Sequence, residues 1–180
     1  AAGAATIESL TASTRYDFTL YFKSANRGQI EAWTRPVTDG LTRVASSAAI
    51  LQAFKDKAAK ILVAASDTAY PISQADLSSG IEIYGEENTA GTKPTIQGEI
   101  HLTKDFSGNF YAESVTFDGN GQDYGFPLQA KNGGGASSIT IGEIHYKNCN
   151  ITGYSKGLLY EWGQPMVIGS LIYEGCYITD

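Results

Sequence analysis

The residues best suited to chemistry in this sequence are carboxylates. Glycoside hydrolysis needs two carboxyl groups on opposite sides of a sugar bond, one as acid and the other as base or nucleophile. Asp118 and Asp123 flank Gly119-Asn120-Gly121-Gln122, and Glu161 precedes Trp162, an indole that could stack on a sugar ring. These three acids are the candidate catalytic residues. The same run reads equally as a turn, with Asp and Asn supplying local hydrogen bonds and Gly the positive φ. It also offers clustered oxygens to calcium through Asp118, Asn120 and Asp123, without the full EF-hand pattern.

Other reactive types are less organised. His101 and His145 lie on separate strands with no third ligand or nucleophile at a useful spacing, and each is expected as a strand surface residue. Lys131-Asn132-Gly133-Gly134-Gly135-Ala136 is a glycine-rich loop without the strand-to-helix transition or Gly-Lys-Ser/Thr of a phosphate loop. Tyr154, Tyr160, Trp162, Tyr173 and Tyr177 form the richest aromatic cluster, and Tyr154, Tyr160 and Trp162 are the candidates for carbohydrate stacking. Two cysteines, Cys149 and Cys176, are too few for a disulfide scaffold and are expected as a buried pair of free thiols.

Charge narrows the partners. The net charge of -6, with no cluster of Lys or Arg, disfavours nucleic acid and anionic membranes. It also repels anionic polysaccharides unless a divalent cation bridges the carboxylates. No apolar run approaches the roughly 20 residues of a membrane span. Twenty glycines, eleven tyrosines and a single Met suit strands and turns better than helices, so the expected class is all-β.

The elements that must position these residues fall in two parts. Tyr16, Phe18, Leu20 and Phe22 alternate with Asp17, Thr19, Tyr21 and Lys23 as a half-buried strand. After a turn over 24–28, a second strand over 29–34 ends at Arg35-Pro36. Leu10, Thr14 and Tyr16 have the spacing of a tyrosine corner, and the stretch resembles the last strands of a fibronectin type III domain. Residues 1–36 are therefore expected to be the C-terminal strands of such a module, and 37–45 a linker. Ser46 or Ser47 then caps a helix carrying Ile50, Leu51, Phe54 and Ala58 on one face. Ile61-Leu62-Val63-Ala64-Ala65 follows as a buried strand, Ile81-Glu82-Ile83-Tyr84 as an alternating one, and short strands separated by Gly-rich turns continue to the end.

An internal repeat joins these strands. Residues 141–152 align without a gap on 168–179, placing Ile144 with Leu171, Tyr146 with Tyr173, Cys149 with Cys176 and Ile151 with Ile178. A fixed period of this size belongs to solenoids, in which one turn cannot bury its apolar face until a neighbour stacks on it. Neither a leucine-rich ladder nor paired helices are present, which leaves a β-helix with these residues as interior ladders.

The helix, the Ile-Leu-Val-Ala-Ala strand, Asp67-Thr68-Ala69-Tyr70, Tyr84-Gly85-Glu86, Lys93-Pro94-Thr95-Ile96, Val115-Thr116-Phe117-Asp118-Gly119 and Asn148-Cys149-Asn150-Ile151 together resemble the start of pectate-lyase-like proteins. In particular they resemble β-helix proteins of gut bacteria that join a fibronectin-like module to such a domain. The resemblance implies a right-handed parallel β-helix over 46–180 with an N-terminal capping α-helix, preceded by a partial fibronectin type III-like hairpin. It further implies secretion or display at the cell surface, calcium as a possible cofactor, and an Arg or Lys base acting on a uronate. Arg15, Arg27, Arg35 and Arg43 all precede this region, which leaves Lys131, Lys147 and Lys156 as candidates for that base.

The expected function is binding or degradation of an extracellular polysaccharide or host glycan. The alternative is a non-enzymatic adhesin or autotransporter-passenger-like β-helix, including the stalk of a secreted immunoglobulin-directed protease. An export signal is expected upstream of Ala1, and further coils after Asp180.

Overall fold

The computed structural model describes residues 9–12, 14–22, 25–33, 40–122, 128–130, 139–155, 160–161 and 165–179. The chain divides into two compact units, Ala1–Asp39 and Gly40–Asp180.

In the first unit β1 (Arg15–Phe22) pairs antiparallel with β2 (Ala25–Trp33). The backbone N–H of Thr11 donates to Tyr16 Oη at 3.0 Å, tying the strand tyrosine to upstream backbone. The second strand starts at Ala25, earlier than the turn over 24–28 allowed. Gly28 lies within it, and its N–H is satisfied by Asn26 Oδ1.

The second unit begins before the helix. Thr42–Val44, expected as linker, forms β3 and pairs with β4 (Lys60–Val63), so Arg43 belongs to the sheet. Three residues are too few to show a period, which hid this strand in the sequence. Between them lies α1 (Ser47–Lys55). Ser46 Oγ accepts from Ala49 N at 3.1 Å, closing the N-cap, and Ile50 and Phe54 are buried. The helix stops at Asp56, after which Lys57 takes a left-handed φ of 56°.

The remaining strands are β5 (Tyr70–Gly85), β6 (Thr95–Glu113), β7 (Thr116–Gln122), β8 (Leu128–Ala130), β9 (Ile139–Lys147), β10 (Asn150–Tyr154), β11 (Tyr160–Glu161), β12 (Met166–Glu174) and β13 (Tyr177–Ile178). Every pairing among them is parallel. Along one edge β6 borders three strands in succession: β7 at residues 95–97, β8 at 100–102 and β9 at 107–113. A flat sheet cannot do this. The sheet is curled, and β7, β8 and β9 trace one path along the bent β6.

Register stacks like residues. Ile61, Ile83, Ala112, Tyr146 and Tyr173 form one column of neighbours, and Ile96, Phe117, Ile151 and Ile178 another. All but the last member of each column are buried. Tyr146 and Tyr173 stack with centroids 5.4 Å apart and planes 4° from parallel. The sequence repeat is thus structural: Ile144 pairs Leu171, and Ile151 pairs Ile178. Alternation within each strand sends one set of side chains to this core and the other outward.

Corners recur as well. Ser114, Asn148 and Gly175 follow the ends of β6, β9 and β12, all with left-handed φ of 57°, 49° and 60°. Ser114 N donates to Lys147 O and Asn148 N to Glu174 O, so the ladder continues through the bend. Asn and Gly are the residues that tolerate this conformation best.

Candidate functional site: a tyrosine and carboxylate groove

The outward positions of β4, β5, β6, β9 and β12 form two columns. One runs Lys60, Glu82, Tyr111, His145, Ile172 and the other Leu62, Tyr84, Glu113, Lys147, Glu174. Each strand therefore presents a pair two residues apart on the same face. Tyr84 Oη donates to Glu82 Oε2 and Tyr111 Oη to Glu113 Oε2, both at 2.7 Å. The Tyr84 and Tyr111 rings lie 5.6 Å apart, and His145 meets Tyr111 edge-on at 5.2 Å.

Lysine ion pairs and close His145 contacts bound this row. Lys60 Nζ lies 2.8 Å from Glu82 Oε2. His145 has Glu143 at 3.6 Å from Nδ1 and Glu174 at 3.4 Å from Nε2, while Lys147 is 3.8 Å from Glu174. Burial opposes ionisation of Glu82, but the hydrogen bonds from Lys60 and Tyr84 outweigh it and hold the carboxyl below its usual range. Burial, then the bonded glutamates, push both Tyr84 and Tyr111 well above the ordinary phenol value.

Beside this row lies an open groove of about 440 Å³ lined by Ala59, Gly80, Ile81, Glu82, Tyr84, Asn109, Tyr111 and Glu143. Asn109 is fixed there because its Oδ1 accepts from Glu143 N at 3.0 Å. Two carboxylates, two phenol rings and an amide converge on one space. Sequence reading missed it, since its members lie on separate strands. The available signal was the repeated outward pairing of an acid with an aromatic ring, Glu82 with Tyr84, Tyr111 with Glu113 and Glu143 with His145.

The residues singled out from sequence are placed differently. Asp118 Oδ1 accepts from Asn120 N and its Oδ2 from Gln97 Nε2, both at 2.8 Å, and Asn120 takes a φ of 52°. For Asp118 and Asn120 the turn reading describes the geometry. They adjoin a second groove of about 410 Å³ lined by amides, including Gln74, Gln97, Asn120 and Gln122. Asp123 and Trp162, like Lys131 and Lys156, lie outside the described residues. Tyr160 and Glu161 form β11, paired with Gln129 and Ala130 of β8, whereas Asp118 in β7 pairs with Gln97 and Thr152. The ladder does not bring Glu161 beside Asp118, so that acid pair is not assembled by strand pairing.

Tyr154 is a correction. The residue is 6% exposed and its hydroxyl donates to Gly98 O at 2.8 Å, so it is core and offers no face to a sugar. The histidines occupy outward strand positions, with side chains 12% and 17% exposed. His101 Nε2 sits 3.0 Å from the buried Glu99, covered rather than on an open strand surface. Of the expected buried thiols, Cys149 is buried and Cys176 half-exposed. Burial pushes the Cys149 thiol up, whereas the bond from Cys149 pulls Cys176 down to about 7, assisted by the Lys93 ammonium. Among the described residues no three His, Cys, Asp or Glu side chains gather to hold a metal, and no helix is long and apolar enough to cross a membrane. Comparisons with protein-family models, curated proteins and solved structures gave no match to this chain.

Proposed function

We propose that residues 40–180 are coils of a right-handed parallel β-helix of the pectate-lyase type, with α1 capping the first coil behind a fibronectin type III-like module. On this reading the protein works outside the cytoplasm and binds polysaccharide in the Glu82, Tyr84, Tyr111 and Glu143 groove. The carrying observation is the groove itself, which pairs aromatic faces with hydrogen-bonding carboxylates, the combination that stacks and orients a sugar ring.

Binding is favoured over hydrolysis. A general acid must hold a proton near neutrality, and Lys60 and Tyr84 hold Glu82 in the opposite state, which suits it to accept hydrogen bonds from a ligand and not to protonate a leaving group. The test is affinity electrophoresis through gels containing a panel of glycans. Tyr111→Ala should weaken retention on the best glycan by roughly tenfold, the scale of a lost stacking contact. Unchanged retention would sink the assignment of this groove.

The adhesin or protease-stalk reading has its own observation. Tyr111 pairs with His145 across a 34-residue interval, while His145 pairs with Ile172 across 27. One pass is thus longer than the next, as in a coil that presents loops. Silence across the glycan panel would favour that reading.

A further inference from the structure

We propose that the groove selects glycans of uncharged sugars, held through their hydroxyl protons, and excludes uronic-acid polymers. This rests on the glycan-binding reading above and goes beyond it by naming the substrate class.

Charge is the first reason. The groove and its flanks carry Glu82, Glu113, Glu143 and Glu174 against Lys60 and Lys147. Both lysines already lie against glutamates, at 2.8 Å and 3.8 Å. A uronate entering here meets like charge at short range, a repulsion that is strongest at low ionic strength because the groove is open.

Hydrogen-bond polarity is the second and is independent of net charge. The protons of Tyr84 Oη and Tyr111 Oη are committed to Glu82 and Glu113, so both phenols, which line the groove, keep only acceptor capacity for a ligand. The bonds to Glu82 from Lys60 and Tyr84 both fall on Oε2. Among the lining side chains only Asn109, through Nδ2, offers N–H donors, so a ligand is held mainly through donors of its own. Sugar hydroxyls are donors, whereas a uronate carboxylate brings only acceptors. A bridging cation could reconcile two acceptors, but among the described residues no metal-holding group of three acids or histidines lies in this face.

The test uses the whole chain in native gels containing neutral β-glucan, galactomannan or arabinan, and in parallel gels containing polygalacturonate or alginate, with and without calcium. Retardation by a neutral glycan with none by either polyuronate is expected. The double variant Glu82→Gln, Glu143→Gln, checked for its melt, should lose roughly tenfold in neutral-glycan retention, as when a charge-assisted bond to a hydroxyl is weakened. Polyuronate retardation equal to or greater than that by neutral glycans would overturn the selectivity while leaving a glycan site. No retardation by any glycan removes the site and this inference with it.

Discussion

At the scale of single residues, the cysteines show how position on the stack sets chemistry. Cys149 and Cys176 share a sequence context, yet one sits inside the core and the other on the last described strand pair. Pulse alkylation with iodoacetamide should modify Cys176 with a rate that rises through about pH 7. Cys149 should stay unmodified until the protein unfolds, and Lys93→Gln should move the Cys176 midpoint upward. Peptide mass spectrometry reads all three. Tyr154→Phe should cost about 1–3 kcal/mol in urea unfolding, because the Gly98 carbonyl loses its buried donor. Aromatic identity alone made Tyr154 a stacking candidate; burial, which composition does not reveal, makes it core. Asp118 shows the converse, since its turn partner Asn120 is two residues away and could be read directly.

At the scale of elements, legibility follows the range of the forces involved. The helix was readable because its cap and its apolar spacing are local, and Ser46→Ala should lower stability by about 1 kcal/mol. Phe54→Ala should cost about 3–5 kcal/mol, a full buried ring beside Ile50. Gly85 was read only as the end of a strand. Its role is a close approach, because a Cβ there would run into the Ser114 carbonyl oxygen at the corner just past β6. Gly85→Ala should therefore cost about 1–3 kcal/mol or force the corner apart, measurable in the same unfolding series. No local pattern reports such a contact, and the groove escaped reading for the same reason. Its four principal residues come from three strands whose spacing is set by loops of unequal length.

At the scale of the whole molecule, the repeat was visible only where two successive passes of the chain have no insertion between matching positions. Elsewhere the same stacking is present, as Ile61, Ile83, Ala112 and Tyr146 show, but at irregular intervals. The predominance of strand followed from composition, and the parallel stacking from one gapless repeat. Acid should erode the outer face. Glu82 has a depressed value when folded, so its contribution is present above the ordinary glutamate value of about 4.3 and is lost as pH falls through the lower folded value. With the side chain 37% exposed the effect is small. Melting temperature should fall slightly less steeply across that range, from about 4.3 down through the lower folded value, in Glu82→Gln than in the parent chain.

The bent path of β6 has a kinetic consequence. Beyond its corners, its backbone is clasped on both edges, by β5 on one side and by β7, β8 and β9 in turn on the other. No single neighbouring strand can detach and free the whole of it. Its amide protons should be the slowest in the chain to trade with deuterium, and those of β12 and β13 among the fastest, so that exchange advances through the stack toward β6 as a graded front.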